Sequence, residues 1–166
     1  MNTVKNTLKS ASENIAFYVN MDFNKLAEDI NNSTLPHSFN SKGRKVTYLE
    51  DDQEATYLSY SSDAAGTDEL TPPFALKDGD NVTCKLQPKN CSEIESKKLK
   101  YKWKDILQSR FDLQLNSKKS SKTQVSYTAV STTGTSEDDT VIINIHFTLN
   151  NVKFSVAWDP RVRVKV

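Results

Sequence analysis

TVIINIHFTLNNVKFSVAW, residues 140–158, decides the fold class. Val141, Ile143, Ile145, Phe147 and Leu149 occupy every second position, and Val152, Phe154, Val156 and Trp158 do so after a short break. Strict alternation puts one set of side chains on a single face of an extended strand. The break is Asn150-Asn151, and asparagine tolerates the positive φ that tight hairpin turns require. The stretch therefore predicts an antiparallel hairpin with one apolar face.

The pattern continues in both directions. Downstream, Trp158, Asp159 and Pro160 form a structural corner in this reading, with Asp bonding forward to the backbone and Pro fixing φ. Val162, Val164 and Val166 then return to a core face while Arg161, Arg163 and Lys165 face solvent, so the basic end reads as a strand and not as a tail. Upstream, ENIAFYVNM (13–21) alternates as a half-buried strand and runs into DFNKLAEDI (22–30). There Asp22 is placed to cap a short helix with Phe23, Leu26, Ala27 and Ile30 on one face. KVTYLE (45–50), EATYLSY (54–60), the segment from Val82 to Leu86, FDLQL (111–115) and TQVSYTAV (123–130) add further strands. SSDAAGTDELTPP (61–73) is loop, and KDGD (77–80) is a turn. Eight or nine short strands with frequent turns predict a mainly β chain, an antiparallel β-sandwich in preference to a closed barrel, with one short N-terminal helix.

The totals set bounds. At 166 residues the chain is expected to form a single domain spanning 1–166, long enough for a sizeable core. Charged residues make up 26% and almost cancel, leaving a formal +1, without the basic excess that nucleic-acid binding proteins usually carry. The first residues, MNTVKNTLKSAS, lack the apolar stretch of a signal peptide, and no apolar run reaches membrane-span length. A cytoplasmic location is the expectation. Cys84 and Cys91 bracket KLQPKN, which reads as a hairpin turn placing the thiols diagonally. Diagonal strand neighbours lie about 7–8 Å apart, beyond usual disulfide geometry. Free thiols are expected ahead of a disulfide.

Few residues announce chemistry. In KKLKYKWK (97–104), Lys98, Lys100, Lys102 and Lys104 share one strand face, with Leu99, Tyr101 and Trp103 on the other. These lysines and Trp103 are the binding candidates, as a phosphate-contacting edge with a stacking aromatic. The preferred reading is an edge strand kept soluble by lysines, its apolar face in the core. The acidic groups Glu50-Asp51-Asp52, Asp78/Asp80 and Glu137-Asp138-Asp139 have no spacing that fixes a coordination shell, and are read as solvated loops. STTGTSEDD (131–139) would be the best supplied of them for metal or glycan. His37 and His146 are not spaced with either cysteine as a catalytic pair. No glycine-rich phosphate loop or hydrolase motif is present, so no catalytic residue, metal or cofactor is assigned.

Two ends of the chain, NIAFYVNMDFNKLAEDI (14–30) and VKFSVAWDPRVRV (152–164), resemble the bacterial inclusion-body (PixA/AidA-like) family. ALKDGDNVTCKL (75–86) is similar to that family's mid-chain turn and strand, while the central cysteines and lysine run depart from it. The resemblance implies a cytoplasmic, non-catalytic β-sandwich that associates into inclusions, and it supplies no catalytic residues. The expected function is therefore non-enzymatic, through the surface, by self-association or as a binding module. The alternative is a small toxin or effector domain acting on membranes or glycans; nucleic acid is not expected as a partner.

Overall fold

The computed structural model describes residues 13–109, 113–115, 118–119, 121–131 and 137–165. The strands are β1 (Asn14–Met21), β2 (Ser38–Phe39), β3 (Lys45–Tyr48), β4 (Leu58–Ser61), β5 (Glu69–Leu70), β6 (Phe74–Lys77) and β7 (Asn81–Pro88). They continue with β8 (Leu99–Ser109), β9 (Leu113–Leu115), β10 (Lys118–Lys119), β11 (Gln124–Ser131), β12 (Glu137–Leu149), β13 (Val152–Trp158) and β14 (Arg161–Lys165). Helices α1 (Phe23–Asn31), α2 (Asp51–Tyr57) and α3 (Glu93–Ser96) complete the described elements.

The deciding hairpin forms. Asn150 and Asn151 adopt φ of 52° and 65°, and β12 pairs β13 from Leu149↔Val152 to Ile143↔Trp158. The same register runs on from Thr140↔Arg161 to Glu137↔Val164, with the Val141 N–H donating to Pro160 O at 3.1 Å between the two ladders. Asp159-Pro160 is thus not the expected corner. The chain stays on β12, and only its outer edge changes partner, from β3 beside β13 to β6 beside β14. Proline explains the change, since it has no N–H to offer a neighbouring strand. The sheet forks there.

Two sheets face each other. One has the order β10-β11-β7-β1-β4-β5, with β9 beside the other half of β11; the second has the order β2-β3-β13-β12-β14-β6, with β8 on the opposite edge of β12. Their inner faces meet in one core, where Phe17 of β1 lies 4.8 Å from Phe74 of β6 between ring centroids. Two tryptophans tie the layers. Trp158 donates from Nε1 to the Tyr60 hydroxyl at 2.8 Å, and Trp103 donates to Thr123 O at 2.9 Å. Helix α1 forms as expected, with Lys25 N–H donating to the Asp22 carboxylate and Phe23, Leu26, Ala27 and Ile30 buried. Phe23 packs on Tyr101 and Phe147.

Several expectations are corrected. The sheets are mixed: β1 runs parallel to β7, β13 to β3, and β14 to β6. Residues 51–57, expected as loop and strand, are helical, because Glu50 N–H donates to the Gln53 side chain and acidic residues fill the first turn. No hairpin joins Cys84 to Cys91. β7 is central, paired with β1 and β11, and Cys91 precedes α3. Both thiols are free. Burial pushes Cys84 up to about 12. A thiol reagent is therefore expected to leave Cys84 untouched in the folded protein at neutral pH and to modify it on denaturation, read by mass.

The two outer faces differ. On the first sheet Gln87 bridges Asn20 and Ala64 O, Asn20 donates to Ser61 at 2.9 Å, and both Asn20 and Ser61 are buried. The chain around residues 62–68 lies over them. On the second sheet β8 and β13 carry exposed lysines, Lys100, Lys102 and Lys104 on the first and Lys153 on the second.

Candidate functional site

The fork at Asp159-Pro160 opens a cleft of about 500 Å³. Asp51 and Glu54 enter it from α2, Tyr60 from β4, Pro72 from the segment before β6, and Asp159 and Arg161 from either side of the fork. The elements meet because Trp158 fastens Tyr60 across the sandwich, while the Leu49 N–H donates to Ala157 O and seats the start of α2 beside β13. A relay results: the indole N–H of Trp158 donates to the Tyr60 hydroxyl, which donates to Glu54 at 3.2 Å.

Partial burial, with the carboxylates of Asp51 and Asp159 nearby, raises Glu54 from 4.5 to about 7, and the Tyr60 hydroxyl moderates the rise. Burial also pushes Tyr60 well above its ordinary value. Folding therefore tightens proton binding at Glu54. Its contribution to stability is full below about pH 4.5 and is lost as pH rises through about 7. Glu54→Gln is expected to flatten that slope. At about pH 8 the variant should exceed the parent by about 1 kcal/mol, a figure reduced because Glu54 is half open to water, and the two should converge near pH 4. Urea midpoints at both pH values measure it.

A second depression of about 560 Å³ shares Asp51 and Asp159 and adds Tyr48, Glu50 and Asp52. Tyr48 is 42% exposed there. It opens on the outer face of the second sheet, since Tyr48 pairs Ala157, which pairs the outward Asn144.

The lysine run lies on β8. Lys98, just before it, and Lys100, Lys102 and Lys104 are exposed, whereas Leu99 is buried and Trp103 is 1% exposed. Trp103 is consequently core and offers no ring to a ligand. Among the described residues β8 has β12 as its strand neighbour, with the Trp103 N–H also donating to Lys122 O at 2.8 Å on its free side. Trp158 is fully buried and Pro160 is buried beside it, with Asp159 at the cleft.

The acidic groups part company. Glu50, Asp51 and Asp52 start a helix, and Glu137, Asp138 and Asp139 belong to strand β12 and not to a loop; residues 132–136 of STTGTSEDD lie outside the described residues. Asp80 is 2% exposed and accepts from the N–H groups of Glu13 at 2.9 Å and Lys77 at 2.7 Å, so it is a buried turn lock. The pattern had read it as solvated; its place directly after Gly79, at φ 90°, was the available signal. The cleft itself was missed, because its walls come from distant segments. Among the described residues no group of three His, Cys, Asp or Glu side chains is set to hold a metal ion. No helix there is long and apolar enough to cross a membrane.

No family model and no curated protein matches the sequence. Among solved structures the chain is similar to an inclusion body protein, PixA, from Burkholderia cenocepacia, at 12% identity and a TM-score of 0.59, covering 95% of this chain and 98% of that one. The resemblance read from the two ends of the sequence is therefore a likeness in fold that extends over nearly the whole of both chains.

Proposed function

We propose that this chain is a non-enzymatic, cytoplasmic β-sandwich that acts through its surface by self-association, as an inclusion-type protein. The observation that carries the reading is the near-complete fold likeness to a protein described as an inclusion body protein. A buried Cys84 thiol held near 12, far from an activated nucleophile, supports the non-enzymatic part. Analytical ultracentrifugation and light scattering over a wide concentration range test it. Species above the monomer are expected, and a strict monomer at high concentration removes the reading.

The fork cleft favours a second reading, a module that binds a small ligand or glycan, since its volume lies within the usual range of about 300–1,000 Å³ for ligand pockets. Glycan arrays and leakage from anionic liposomes distinguish this reading and its membrane-acting variant. Two blank results end the glycan and membrane forms of this reading. Nucleic-acid binding lacks a stacking surface on β8 with Trp103 in the core, and tight, salt-steep binding to single strands would be needed to revive it.

A further inference from the structure

We propose that the outer face of the second sheet is self-complementary and that two copies of this chain dock through it, face to face, about a two-fold axis. The inference rests on the self-association reading and specifies its surface. On one side of the face stands a cationic row: Lys100 and Lys102 on β8, with Lys153 reached across Thr148 of β12. Their side chains are exposed, and among the described residues they make no ion pair, the pair found there being Lys25–Asp29 at 3.7 Å. On the other side lies the depression lined by Glu50, Asp51, Asp52 and Asp159, with exposed Tyr48 as an aromatic wall suited to an ammonium group.

The two sides cannot satisfy each other within one molecule. Lys100 and Lys102 on β8 stand three strand spacings, about 14 Å, from Tyr48 on β3, and Lys153 lies four residues, about 13 Å, along β13 from Ala157, the partner of Tyr48. A second copy turned over and swapped left for right brings its row onto the first copy's depression, and its depression onto the first copy's row. Both contacts form at once, which is the isologous arrangement of a two-fold dimer. Between them lie half-buried or buried polar groups, Asn144, His146, Thr148 and Ser155, with His146 paired across to Lys102. Four strands by about six residues give about 400 Å² per copy, half the standard interface, so charge must carry much of the association and salt must weaken it.

The test uses two charge-reversed full-length variants: Lys100→Glu/Lys102→Glu/Lys153→Glu, and Asp51→Lys/Asp52→Lys. Sedimentation at low salt is expected to show dimer for the parent, with dissociation at about 1 M salt, where the screening length is about 3 Å. Each variant alone should lose dimer affinity by more than about a hundredfold, because like charges then face each other. An equimolar mixture of the two should restore a heterodimer, which also shows that both remain folded. A parent that never leaves the monomer overturns this inference together with the reading it rests on. A parent that associates while the folded variants associate equally well, or whose mixture stays monomeric, overturns the face-to-face dimer alone.

Discussion

Replacing Trp158 by alanine is expected to remove about 3–5 kcal/mol of stability, the upper range for an aromatic deletion in a core. Trp158 is fully buried, sits opposite Ile143 on β12, and donates its indole N–H to Tyr60 of the facing sheet. The substitution therefore opens a cavity and releases the clasp between layers in one step. Domains of this kind hold only about 5–15 kcal/mol in total, so the variant should be near the margin of folding. Trp158→Phe separates the two contributions. It keeps most of the packing and loses the hydrogen bond, for an expected cost of about 1–3 kcal/mol. Urea denaturation followed by far-ultraviolet circular dichroism gives both numbers. A loss below about 1 kcal/mol for the alanine variant would contradict the burial described for Trp158.

The second large effect is expected at Asp80. Its carboxylate accepts from two backbone N–H groups, those of Glu13 and Lys77, and its own carbonyl accepts from Ala129 at 2.9 Å. Hydrogen bonds to a charged group contribute about 1.5–3 kcal/mol each, so Asp80→Ala should cost about 3–5 kcal/mol. Asparagine at this position retains one acceptor oxygen and should fall between the two. A solvated turn carboxylate would change stability by no more than about 0.5 kcal/mol. Hydrogen exchange adds a local readout, since the amides of Glu13 and Lys77 should lose protection in Asp80→Ala before the rest of the sheet does.

What could be read from the residues depended on whether the determining interaction was local. Alternation at Val141 to Leu149, the paired asparagines at the turn and the spacing of Phe23, Leu26, Ala27 and Ile30 are each properties of one short stretch, and each appears as expected. The split of lysines from Leu99 and Trp103 on β8 belongs with them. The parallel pairs are different. Phe17 meets Cys84 and Val164 meets Leu76 across long separations, and nothing in either segment encodes the direction of its neighbour. Helix α2 was lost for another reason. Seven residues make two turns, too few for a clear helical period, and Thr56, Tyr57 and Tyr60 give the stretch the β-branched and aromatic content of a strand. Glu50 and Gln53, three apart, were the better guide. The fork cleft had no local signal, because it exists only where Pro160 interrupts one edge of an otherwise continuous ladder.

That ladder also sets an order of events during synthesis. Strands β3, β6 and β8 emerge from the ribosome well before β12, β13 and β14, yet the latter are their partners in the second sheet. Until residues 137–165 are available, Leu76, Leu99 and Trp103 have no neighbouring strand in their own layer to pack beside. The nascent chain must therefore carry unpaired edges and exposed apolar surface from the synthesis of β6 until that of β12, and closing such distant pairs is intrinsically slow. A chaperone that holds the growing chain, or a pause in translation before residue 137, would be expected to change the yield of folded protein more than either changes its final stability.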